Sequence, residues 1–100
     1  METSATYPIG KFNRPESLLP EQRAKCIKTI GAFPDAMAAL LKESKPGDFL
    51  KTYRIDGWNV LQIVHHCADS HINAYIRFKL ALIENAPSIL GYNQDAWAAL

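Results

Sequence analysis

The sequence has no run of about 18 apolar residues, the length a membrane-spanning helix needs. Its N-terminus, METSATYPIGKF, lacks a basic segment followed by an apolar one, so no secretory signal is read. Cysteine is scarce: Cys26 and Cys67 stand far apart with no CxxC spacing. That excludes a disulfide scaffold and fits a reducing, cytoplasmic setting. Charge of one sign is missing too, since 11 Lys and Arg face 10 Asp and Glu, for a formal net charge of +1. Binders of nucleic acid or of membrane surfaces usually carry a basic excess or a basic patch, so neither partner is expected. Internal repeats and low-complexity segments are absent as well.

What is there is 100 residues, 48% of them hydrophobic and 21% charged, the balance of a single soluble domain with one modest core. Residues 1–19 are polar and broken by Pro8, Gly10 and Pro15. They read as an extended arm with Tyr7, Ile9 and Phe12 as its anchors. A first helix is expected over about 20–44, with Pro20 at the first helical position and Glu21 complementing the dipole. Cys26, Ile27, Ile30, Phe33, Met37, Leu40 and Leu41 recur at helical spacing, and Pro34 predicts a kink or break near 31–33. Lys45-Pro46-Gly47-Asp48 reads as a turn and residues 49–57 as a connector.

A second helix is expected over about 59–85, opened by Asn59 and Gln62 at capping-box spacing. A third begins near 94, after Pro87 and Gly91 have punctuated the loop, and the chain end cuts it off. The fold class is all-α.

The second helix holds the chemistry, because all three histidines fall between residues 65 and 71. At about 100° per residue, Val60, Ile63, Val64, Cys67, Ala74, Phe78, Ala81 and Leu82 share an apolar face, with Phe78 and Leu82 expected in the core. Gln62, His66, Asp69, Ser70, Asn73 and Arg77 fall within about 60° of the His66 direction and form a polar stripe beside it. His65 lies about 100° from His66, and His71 about 140° from it. A two-histidine site on one helix needs a spacing of three or four, so this helix offers a metal one imidazole only. A polar stripe is as readily a solvated face, and a histidine on it a surface residue. Cys67 reads as a small buried hydrophobe. Asp69 can orient a neighbouring imidazole or form an ordinary intrahelical pair.

Trp58 stands eight residues before His66, and around this pair run YPIGKF at 7–12, RPES at 14–17, HH-x-ADSH at 65–71, YIRFKLAL at 75–82 and QDAWA at 94–98. Together they resemble the DinB-like superfamily, in particular its YfiT/BstA branch of metal-dependent hydrolases, over nearly the whole chain. The resemblance implies an up-down-down-up four-helix bundle that binds one divalent ion, zinc or nickel, and is often a homodimer. It implies a three-histidine site: one histidine on the second helix, matched by His66, and an HxxxH pair on the last helix, which has no counterpart here. The chain is therefore expected to be the N-terminal portion of such a bundle, truncated after two helices and the start of a third, with an incomplete metal site.

On this resemblance the activity is hydrolysis of a small molecule or transfer of a low-molecular-weight thiol such as bacillithiol. His66 would be the metal ligand and Asp69 an acid/base group or one that orients the ligand. Asn73 and Arg77 would hold the substrate, the guanidinium suiting an anionic group. The competing expectation is a helical interaction module without catalysis, in which the stripe is a dimer or partner surface.

Overall fold

The structure, a computed structural model, describes residues 4–100, so the first three residues of the expected arm lie outside it. Three α-helices follow in order: α1 (Pro20–Glu43), α2 (Val60–Ile83) and α3 (Gln94–Ala98), with a 3-10 turn at Pro46–Leu50. No strand occurs among the described residues, only an isolated antiparallel bridge between Thr52 and Asn59. The chain forms two compact units that meet at Pro46 and Gly47.

In the first unit the arm closes on itself. The Tyr7 amide donates to the Ser4 carbonyl at 3.1 Å, and the Gly10 amide to the Tyr7 carbonyl at 2.9 Å. Gly10 takes a φ of 82°, a left-handed value that costs glycine little. This local turn leaves Ile9 94% and Phe12 85% exposed, so they are not the anchors expected of them. Pro20 begins α1, where its missing N–H removes no bond. The Gln22 side-chain oxygen accepts from the Leu19 amide at 2.8 Å just ahead of the first turn. The helix runs on through Pro34, so of the kink or break expected near 31–33 there is no break. Proline deletes one intrahelical bond, and the turns on either side of it are long enough to keep the helix registered. Ser44 ends α1, its amide donating to the Leu41 carbonyl and its hydroxyl to the Leu40 carbonyl.

The second unit is built around α2. The connector ahead of it folds back through the Thr52–Asn59 bridge and a 3.1 Å bond from the Val60 amide to the Lys51 carbonyl. Inside this loop the Gly57 amide donates to the Arg54 carbonyl at 3.1 Å, and Asp56 adopts a φ of 59°. A positive φ at the third of four residues suits a type II turn, and Asp is among the few side chains that tolerate it. A Cβ at Gly57 would stand 2.8 Å from the Arg54 Cγ and 3.1 Å from the Arg54 carbonyl oxygen, so the turn needs glycine there. The loop thereby delivers Trp58 and Asn59 to the start of α2.

Asn59 caps α2: its side-chain oxygen accepts from the Gln62 amide at 2.8 Å, and the Gln62 side chain accepts from the Asn59 amide at 3.0 Å. The short α3 packs on α2. A surface cleft of about 340 Å³ between them is lined by Asn59, Leu61, Gln62 and His65 from one side and Ala98 to Leu100 from the other. Ala98, 4% exposed, is the buried hydrophobic residue of the described chain. At about 1.5 Å per residue, a five-residue helix covers only one end of a 24-residue partner. Phe78 and Leu82, expected in the core, are accordingly 67% and 83% exposed.

Candidate functional site

The polar stripe of α2 is not a fully solvated face. Gln62, His66, Asp69, Ser70, Asn73 and Arg77 are all half-buried, whereas His65 and His71 are exposed. Of the three histidines, His66 is the one set into the fold. Its ring meets the Trp58 indole edge-on, with centroids 5.0 Å apart and the planes inclined at 63°. The His66 Nδ1 atom is buried and has no hydrogen-bond partner among the described residues. An unpaired polar atom removed from water is costly, so this nitrogen stands out among the polar atoms of α2.

The other predicted site residues are placed less directly. The Asp69 carboxylate forms no hydrogen bond to the rings of His65 or His66 among the described residues, while its backbone carbonyl accepts from the Asn73 side-chain amide at 2.8 Å. That bond fixes Asn73 against its own helix. Arg77 donates from Nη2 to the Leu90 carbonyl at 3.0 Å and so ties α2 to the loop before α3. A surface depression of about 340 Å³, lined by Ser70, Ala74, Arg77, Phe78 and Ala81, opens beside it. His66 does not line this depression, so the structure brings Asn73 and Arg77 into one stripe with His66 without gathering all of them around one cavity.

The donor set is short of a metal centre. Among the described residues, no three His, Cys, Asp or Glu side chains converge to hold an ion. Structural and catalytic zinc sites take three or four protein ligands, more than the single half-buried imidazole of His66 supplies. Cys67, free and half-buried on the adjoining face, adds no second donor in this arrangement.

One contact near His66 was not legible in the sequence. The Trp58 indole N–H donates to an Asp95 carboxylate oxygen at 3.0 Å across 37 residues of chain. Periodicity speaks only to residues on one element, and neither the QDAWA stretch at 94–98 nor the place of Asp95 in the first turn of α3 names Trp58 as its partner.

Comparison with known proteins fits this geometry. No protein-family model matches the chain. The "Putative metal-dependent hydrolase YfiT" of Bacillus subtilis is 41% identical over 95% of the chain and 53% of its own length. A protein of the same description from Halalkalibacterium halodurans is 42% identical over 94% of the chain and 55% of its own length. The chain thus spans about half the length of the curated relatives it matches. The solved structure of YfiT, described as a probable metal-dependent hydrolase with an unusual four-helix bundle topology, superposes with a TM-score of 0.90, covering 96% of this chain and 55% of that one. In sequence and in superposition, the chain is similar over nearly its whole length to about half of YfiT.

Proposed function

We propose that this chain carries one ligand-bearing helix of a divalent-metal centre in an enzyme acting on a small molecule, as a hydrolase or as a transferase of a low-molecular-weight thiol. The observation that carries the reading is the buried, unpartnered Nδ1 of His66 on a half-buried polar stripe. The relatives' description as metal-dependent hydrolases supports it. A bound cation, zinc or nickel, supplies Lewis acidity to such a centre. His66 contributes one imidazole donor, and no group of three donors converges among the described residues. Asp69, one turn along the helix, is the acid/base or orienting group. Asn73 and Arg77 hold the substrate, Arg77 through the guanidinium nitrogens left over from its bond to the Leu90 carbonyl.

No helix of the described residues is long and apolar enough to cross a membrane. Two free cysteines support a reducing compartment, and we take the cytoplasm as the setting. A second copy of the chain is the partner we propose.

The test is a competition titration with a zinc chelator on the 100-residue chain. Weak binding is expected, because a lone imidazole holds zinc poorly. His66→Ala should abolish it, while His65→Ala and His71→Ala should leave it unchanged. Equal losses from His65→Ala and His66→Ala would sink the assignment, and tight stoichiometric binding would reveal a donor set other than the one proposed. The second reading, an interaction module, draws on the exposed apolar residues of α2, Ile72, Tyr75, Ile76, Phe78 and Leu82. It predicts association without any dependence on His66.

A further inference from the structure

We infer that Asp95, acting through Trp58, fixes the orientation of the His66 ring and is a positioning residue for it. A histidine that binds a metal ordinarily donates its second ring N–H to a carboxylate or carbonyl, which fixes the tautomer and the ring plane. At His66 neither ring nitrogen has a hydrogen-bond partner among the described residues, so no such bond holds the ring whichever nitrogen takes the ion. Its second side-chain torsion is of the broad, roughly two-fold kind, so the backbone alone does not hold the plane. What meets the ring is Trp58, edge-on at 5.0 Å and 63°.

An indole can orient a neighbour only if it is itself held. Trp58 stands in the loop ahead of α2, half-buried, with one polar atom to anchor it. Its Nε1–H donates to the Asp95 Oδ1 at 3.0 Å, a bond strengthened by the charge on the acceptor. Asp95 rides on α3, which Ala98 seats against α2. The constraint therefore runs from α3 through a carboxylate and an indole to the imidazole. An acid in the first turn of a helix has a simpler use, to complement the helix dipole. The two roles separate on substitution. Asp95→Asn removes the charge the dipole needs and keeps an oxygen that accepts the indole proton. Asp95→Ala removes both.

Nuclear magnetic resonance on the full, metal-free chain reads the outcome directly. The observables are solvent exchange of the Trp58 indole proton and the cross-relaxation peaks between the Trp58 ring and the His66 ring protons. Asp95→Ala should speed the exchange and weaken those peaks, Asp95→Asn should preserve both, and circular dichroism should show the helices intact. Trp58→Phe, which keeps an aromatic edge without the donor, should loosen the His66 ring as Asp95→Ala does. Unchanged cross-peaks in Asp95→Ala would overturn the inference, as would losses in Asp95→Asn equal to those in Asp95→Ala. The bearing of this contact on catalysis rests on the reading of His66 as a metal donor. Because the measurement uses no metal, its failure leaves the zinc titration untouched, and failure of that titration leaves the orientation of His66 standing.

Discussion

A single side chain on the polar stripe shows how function and stability are mixed there. Arg77 was expected to serve substrate alone, and its bond to the Leu90 carbonyl gives it a structural share. Arg77→Ala should therefore cost about 1 kcal/mol, the usual net worth of one hydrogen bond. Urea unfolding checks this, and a loss near zero would show the guanidinium to be free for a ligand. His66 could be singled out because the eight-residue interval from Trp58 and the angular position both lie within one stretch of chain. The partners that matter to Arg77 and Trp58 could not, because Leu90 and Asp95 reach them across 13 and 37 residues. A sequence pattern carries no information on contacts closed by the connection between α2 and α3, whose path turns through a positive φ at Ala86.

At the scale of elements, α2 depends on its first turn. The Asn59–Gln62 pair satisfies two amides that would otherwise be left without partners at the helix start. Asn59→Ala should cost about 1 kcal/mol and lower protection from hydrogen exchange first in residues 60–63. Exchange that quickens uniformly along the helix would instead mean that the cap sets the stability of the whole unit. This cap was readable because it is a local pattern of four residues. Pro34 shows the converse: proline signals a local cost, and the sequence alone does not say whether flanking turns absorb it. In α1 they do.

The molecule as a whole leaves a large apolar area uncovered. Its accessible surface is 8932 Å². Two separately folded units, each about half the mass of the chain, would together expose only about 7,000 Å² by the scaling of compact proteins. The difference, roughly 2,000 Å², exceeds the roughly 800 Å² that each partner gives up in a protein interface of standard size. Part of the exposed apolar surface lies along α2, where Phe78, Leu82 and Ile83 are exposed beyond the reach of α3. A buried phenylalanine loses about 3 kcal/mol or more on truncation to alanine, and an exposed one far less. In this 100-residue chain, Phe78→Ala should therefore cost less than about 1 kcal/mol of monomer stability at low concentration. At higher concentration the wild-type chain should associate, since Ile72, Tyr75, Ile76, Phe78, Leu82 and Ile83 leave apolar surface of α2 exposed. Sedimentation velocity over a concentration series reads this association, and Phe78→Ala together with Leu82→Ala should shift it towards monomer without lowering the helical signal. A chain that sediments as a monomer throughout, or a Phe78→Ala loss near 3 kcal/mol in dilute solution, would show that this face is already covered within one molecule.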